Sequence, residues 1–306
     1  MPERPFRNPP RATPIRASDT SVPKGMLRVA TTMAVPALLQ EHGVDPVPLL
    51  AEFGLEPADF EDPENRIRYS TVTRLLGRCT EVTRCPHFGL LVGQRAGTSA
   101  LGAVGFLMQS SPTVRTALEI LVHHLWLHSP GAAADLVEHG SFATLALTIH
   151  GTDHAGLAPY LEMSNAIGCN VMRGLCGNHW QATEMRFAGG RPRNLKPFQV
   201  FFQAPLRFDT GQTALVFARN WLDKPLLSAD PLLHTVMQQR VSEQAALAHD
   251  DVASQLRRLL PSLITTRSDW LGVAAKRVGL ATRTLNRRLA AEGTSYLKLR
   301  EELGSF

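Results

Sequence analysis

The residues best suited to chemistry stand close together near the end of the chain, in the stretch ATRTLNRRL at positions 281–289. Arg283, Asn286 and Arg287 fall at i, i+3 and i+4, so on a helix they share one face. An arginine fork can grip guanine O6 and N7 with two parallel hydrogen bonds, and an asparagine amide can pair with adenine N6 and N7. Lys276, Thr284 and Arg288 are better placed for phosphates, which fix register without reading sequence. The plainer alternative for the same residues is a solvated, basic face of a surface helix.

Two short helices and a tight turn would position this face. Leu271, Ala274, Ala275 and Val278 recur at helical spacing, giving a first helix with one buried stripe, and Ala275 is small where a second helix would cross closely. Gly279 permits the turn and Leu280 plugs it. The second helix is predicted from about Thr282 to Ala291, stopping at Gly293, with Leu285 and Leu289 facing inward. Two short helices, a glycine turn and a basic second helix favour a helix-turn-helix over a merely solvated face.

Charge supports a nucleic-acid partner. The net charge of +5 is unevenly spread: residues 1–28 hold six bases and two acids, residues 267–300 hold eight and two, and residues 29–266 hold 18 bases against 21 acids. The basic balance therefore sits at the two ends of a slightly acidic body. With 306 residues and 44% hydrophobic content the chain can bury a sizeable core. No apolar run is long enough to span a membrane, and the N-terminus has arginines without an apolar core behind them, so a cytoplasmic location is expected. Five and six residues separate Cys79 from Cys85 and Cys169 from Cys176, which is not zinc-knuckle spacing, so reduced, partly buried thiols are expected.

Residues 1–25 carry six prolines and no hydrophobic period, as a disordered arm would. From Arg28 to about Arg95 the pattern is helical, with glycine stops at Gly43 and Gly54 and an apolar stripe at Val72, Leu75, Leu76 and Cys79. A further helix is predicted in SSPTVRTALEILVHHLWL, with Ser111 as N-cap and Pro112 at its first position. AAADLVEHGSFATLALTIH alternates on both sides of EHGS, a hairpin signal. A helix over roughly Pro159 to Cys176 follows, then a strand whose Thr183, Met185 and Phe187 share a face. APLRFDTGQTALVFAR reads as a pair of strands turning at Asp209-Thr210-Gly211. The fold class is α+β: a helical and antiparallel-sheet domain over residues 26–235, a linker at 236–250, and an all-α helix-turn-helix segment over 251–306. In the last segment Val252, Leu256, Leu259, Leu260 and Leu263 fall on one side of a helix.

The stretch VAAKRVGLATRTLNRRLAAEGTSYLKLREEL resembles the first helix-turn-helix of AraC/XylS-type transcriptional regulators. The resemblance rests on Ala274-Ala275, Val278-Gly279-Leu280, Arg283-Thr284-Leu285, Arg287-Arg288-Leu289 and Glu292-Gly293-Thr294-Ser295-Tyr296. Ala281 departs from the family's serine cap, which leaves Thr282 to cap the helix. The body, through FGLLVGQRAGTSALGAVGFLMQ and FQAPLRFDTGQTALVFARNWLDKPLL, is similar to the family's arabinose-binding-type effector and dimerisation domain. The family also carries a second helix-turn-helix, which the residues after Tyr296 do not contain, so the chain reads as C-terminally truncated and weak, salt-sensitive DNA binding is expected. The resemblance implies a transcription regulator whose partners are double-stranded DNA, an unidentified small-molecule effector and a second copy of itself, with RNA polymerase as a further candidate. The alternative is a dimerisation protein without DNA binding of its own.

Enzyme chemistry has little support. The sequence lacks G-x-S-x-G, a phosphate-cradling G-x-x-x-x-G-K and H-E-x-x-H, and no cofactor or catalytic residue is expected. His124 and His128 stand at i and i+4, with His123 beside them, and could share a metal on a helix. No carboxylate or cysteine completes such a set, so partly buried histidines are the expected reading and no metal site is assigned. Which residues would hold an effector is not legible.

Overall fold

The computed structural model describes residues 25–129, 132–149, 156–177, 179–247, 252, 253, 256, 270–277 and 280–304. All but the last residue of the arm expected at 1–25, the turn at Val278-Gly279, and Leu259, Leu260 and Leu263 lie outside them.

Short helices open the body. Helix α1 (Val35–Glu41) stops at Gly43, whose φ of +72° is the left-handed conformation that terminates helices. In α2 (Pro46–Ala51), Asp45 caps the start by accepting the Val47 N–H at 3.0 Å. A two-stranded ribbon, β1 (Met26–Arg28) and β2 (Arg66–Arg68), pairs antiparallel with Arg28 opposite Arg66. Helix α3 (Tyr69–Val82) buries Val72, Leu75, Leu76 and Cys79, the predicted stripe. Helices α4 (Phe88–Gln94), α5 (Ala103–Gln109) and α6 (Val114–His128) follow.

Helix α6 begins later than its sequence suggests. Thr113, in extended conformation, is the N-cap, and its Oγ1 accepts the Thr116 N–H at 3.2 Å. Ser111 instead donates its hydroxyl to the Leu107 carbonyl at 2.8 Å, and Pro112 accepts from the Leu226 N–H at 3.1 Å. Ser111 is thus committed to the end of α5 and cannot cap α6.

The main sheet has five strands in the order β3-β4-β7-β5-β6. The predicted hairpin forms β3 (Ala132–His139) and β4 (Phe142–Ile149), turning through Gly140 at φ +57°. Helix α7 (Leu157–Cys176) leads to β5 (Glu184–Arg186), α8 (Lys196–Phe202), β6 (Leu206–Arg207) and β7 (Thr213–Ala218). The strands read as a pair around Asp209-Thr210-Gly211 do not pair with each other. Strand β5 lies between them, antiparallel to β7 and parallel to β6, with α8 as the crossover, so the sheet is mixed rather than wholly antiparallel. The cause is an aromatic cluster: Phe187, just past β5, stacks on Phe208 with centroids 4.8 Å apart and meets Phe198 and Phe202 edge-on. That cluster draws β5 into the gap. Met185 and Phe187 are buried as expected, but Thr183 is exposed.

Helix α4 packs against α7 with almost nothing between the backbones. A Cβ at Gly89 would overlap the Pro159 carbonyl, and one at Gly93 would lie 2.7 Å from the Ala166 Cβ. Asn170 locks the contact by donating its amide to the carbonyls of Gly93, Gln94 and Ala96 at 3.3, 3.0 and 2.8 Å. All four cysteines are free thiols, and three are buried.

Helix α9 (Pro231–Leu247) runs through most of the stretch read as a linker at 236–250. A second hydrophobic core gathers Val252, Ala253, Leu256, Ala274, Ala275, Leu285, Leu289, Tyr296 and Leu299. Apart from Val252, Ala253 and Leu256, its members come from three helices, α10 (Trp270–Arg277), α11 (Thr282–Ala291) and α12 (Tyr296–Gly304).

Candidate nucleic-acid interface and effector cavity

Helix α11 has the bounds its sequence predicts, and Gly293 follows it at φ +74°. Leu285 and Leu289 are fully buried and anchor it; each contributes about 1.5–3 kcal/mol of burial. Arg283, Asn286, Arg287 and Arg288 are exposed, and Thr284 is half-buried. At about 100° per residue, Arg283, Asn286 and Arg287 span roughly 100° of arc, opposite the leucines. Thr284 and Arg288 lie together to one side of that arc, beyond Arg287. Lys276 lies in α10, and its side chain is outside the described residues.

The N-cap is Ala281, extended at φ −69° and ψ 145°, with no side-chain hydrogen bond to the helix. Thr282 is the first helical residue and does not cap it, contrary to the expectation, because it already has helical backbone and cannot reach its own first turn. Glu292, just beyond α11, accepts the N–H groups of Val252 and Ala253 at 2.9 and 2.8 Å. It therefore ties the start of the segment to the end of the exposed basic helix.

A second site lies in the N-terminal body, between α6, α7 and the sheet. It is a cavity of about 100 Å³ whose walls are Leu121 and Leu125 of α6, Leu145 and Leu147 of β4, Leu215 of β7, and Met163 and Val171 of α7. The polar lining is sparse: Thr31, His128, Ser129, Tyr160, Ser164, Asn165 and Thr213. Asn165 spends its amide on the Arg186 carbonyl at 2.9 Å. Burial pushes the Tyr160 phenol up to about 12, against the opposing hydrogen bonds of Ser129 and Ser164. Burial, then the charges of Arg28 and Arg66, hold His128 down to about 3, so its ring is neutral at physiological pH.

The three histidines of α6 do not converge. His123 is exposed with Nδ1 2.6 Å from the Glu119 carbonyl, His124 sets Nδ1 3.1 Å from the Ile120 carbonyl, and His128 faces the cavity. Sequence reasoning missed the cavity residues, yet one signal was there. His128 continues the stripe Leu121, Leu125, and a polar residue on an otherwise apolar stripe marks a place where something polar must be met.

Among the described residues, no helix is long and apolar enough to cross a membrane. The family described as the arabinose-binding domain of AraC transcription regulators, N-terminal, matches residues 43–226. The chain is 24% identical over 276 residues to the HTH-type transcriptional regulator VirS of Mycobacterium tuberculosis, covering 88% of this chain and 79% of that protein. It is 23% identical over 281 residues to the ornithine utilization regulator of Pseudomonas aeruginosa, covering 91% and 82%. In fold it is similar to the transcriptional regulator CdpR from Pseudomonas aeruginosa, with a TM-score of 0.53 at 16% identity over 88% of this chain and 81% of that one. The family match spans more than half of the chain, the body it covers is the mixed helix-and-sheet domain described above, and the chain belongs to the AraC-type transcriptional regulators, with their arabinose-binding-type effector domain at its N-terminal side.

Proposed function

We propose that this protein is a cytoplasmic, effector-controlled regulator that binds double-stranded DNA through α11. In this reading residues 26–235 form the effector and dimerisation domain, 236–250 connect it, and 251–306 form the DNA-binding segment, with α10 and α11 as its helix-turn-helix. Arg283, Asn286 and Arg287 read base edges, while Lys276, Thr284 and Arg288 hold phosphates. The protein acts as a homodimer, and RNA polymerase is its partner at the promoter. The cavity between α6, α7 and the sheet takes the effector, and its occupancy changes how the DNA-binding segments are presented.

The observation that carries the reading is the exposed Arg283, Asn286 and Arg287 face on a helix pinned by Leu285 and Leu289. Asn286 adds to the arginines an amide that can pair with adenine N6 and N7, which supports base reading over a merely solvated face.

The test is selection of bound fragments from genomic DNA, followed by anisotropy titration of the best site. Asn286→Ala and Arg287→Ala are each expected to cost about 1–3 kcal/mol and to relax specificity at one base pair. Arg288→Ala is expected to weaken all sequences alike and to lower the salt slope by about 1. Unchanged affinity in all three variants would refute the assignment.

A further inference from the structure

The cavity between α6, α7 and the sheet offers no charge to a ligand. None of its described lining residues is an aspartate, glutamate, lysine or arginine. Arg28 and Arg66 act on the His128 ring through their charge, yet neither lines the cavity. Arg28 spends its guanidinium on Glu64 and on the Ala100 carbonyl. An ion taken in here would give up its water without meeting a countercharge, and burial of an unpaired charge is the costliest exchange a protein interior can make.

Much of the polar lining is already committed. Ser164 donates to the Tyr160 carbonyl at 2.9 Å, the Asn165 amide donates to the Arg186 carbonyl at 2.9 Å, and Thr213 Oγ1 accepts the Ala188 N–H at 3.4 Å. The imidazole of His128 is not. It lines the cavity, is 5% exposed, and its Nδ1 has no hydrogen-bond partner. Buried polar atoms in that state are uncommon, because each has lost its hydration without a replacement. A neutral imidazole has one nitrogen that donates and one that accepts, so it can meet either a hydroxyl or a carbonyl.

We infer that the cavity binds a small uncharged molecule, a short-chain alcohol or ketone, whose one oxygen meets the His128 imidazole while its hydrocarbon body lies among Leu121, Leu145, Met163 and Leu215. This rests on the cavity being the effector site and adds the chemical class of the effector. The molecule must be compact. An apolar cavity of about 150 Å³ accepts benzene, so about 100 Å³ fits roughly four to six non-hydrogen atoms. A single oxygen suffices, since a second polar group would be pressed against leucine and methionine side chains and left unmet.

Isothermal titration of the full chain with 1-butanol, 1-pentanol and 1-octanol at pH 7 tests this. Valerate, pentylamine and 1-chloropentane serve as the anionic, cationic and non-hydrogen-bonding counterparts. Saturable pentanol binding is expected, about fourfold tighter than butanol for the added methylene, while octanol is too long to gain further. Valerate and pentylamine should bind at least about a hundredfold more weakly than pentanol. Pentanol should exceed chloropentane by about two- to tenfold through the His128 bond, and His128→Leu should erase that margin. Ala134→Leu, which enlarges a side chain on the β3 wall of the cavity, should abolish alcohol binding. Valerate or pentylamine binding as tightly as pentanol, or a pentanol margin that survives His128→Leu, would overturn the inference while leaving the cavity as the effector site. The charge comparison needs only the parent chain, so it stands even if a variant does not fold. Absence of saturable binding by every compound, or pentanol binding untouched by Ala134→Leu, would sink both readings.

Discussion

Replacing Ala281 by serine should stabilise the basic helix without touching its outward face. Ala281 already has the extended backbone that an N-cap needs, its side chain is exposed, and its carbonyl already accepts the first helical bond from the Leu285 N–H at 2.9 Å. A serine there needs no backbone movement and displaces no packing. Its hydroxyl would accept from the Arg283 or Thr284 N–H, one of the donors every helix start leaves unmet. Serine over alanine at this position is worth about 0.5–2 kcal/mol, which slows opening of the first turn by roughly two- to thirtyfold. Hydrogen exchange at the Thr284 and Leu285 amides of the full chain reads this directly. Ala290→Ser is the control: the same chemical change on the exposed surface of the same helix, expected to have no stabilising effect. Equal exchange rates at Thr284 in the parent and Ala281→Ser, or equal slowing by Ala290→Ser, would refute the capping argument.

Glu162 of α7 has a buried Oε2 without a partner, and burial pushes its carboxyl up to about 8. The folded chain therefore holds this proton more tightly than the unfolded chain, and stability should fall as pH rises from the ordinary carboxylate range to about 8. Glu162→Gln should flatten that dependence, gaining stability over the parent at pH 9 and matching it near pH 4.5 in urea unfolding. Gly93→Ala should cost roughly 1–3 kcal/mol by driving a methyl into Met163 and Ala166, seen as a fall in melting temperature of at least about 2 °C. Glu292→Gln should weaken the two bonds to Val252 and Ala253, raising exchange of those two amides several-fold, which corresponds to about 1 kcal/mol.

What the sequence disclosed and what it hid follow from the range of the interactions involved. Helix α11 was legible to the residue because its signals are local: leucines four apart, a glycine two residues past its end, and arginines between. The β3–β4 hairpin was legible because Gly140 sits between two alternating runs. The insertion of β5 between β6 and β7 was not, because it depends on Phe187 finding Phe198, Phe202 and Phe208, and a two-residue strand carries no period of its own. Ser111 and Thr113 are both good caps in sequence, and only the preceding helix decides which hydroxyl is free. The cavity was hidden for the same reason at larger scale. Its walls come from α6, β4, α7 and β7, and nothing local marks Leu145 and Val171 as facing one another.

The glycine contact between α4 and α7 determines which wall of that cavity can yield. Helix α7 offers Tyr160, Met163 and Val171 to the cavity while Gly89, Gly93 and the Asn170 amide fix its other side, backbone against backbone. With glycines at the closest approach and the Asn170 amide held by the α4 carbonyls, little there can change rotamer, and that wall is stiff. The opposite wall is β4 and β7, held through side chains such as Leu145 and Leu215 that can turn or slide. An incoming molecule would therefore do its mechanical work on the sheet, displacing β4 and its hairpin partner β3 while α7 serves as the fixed reference.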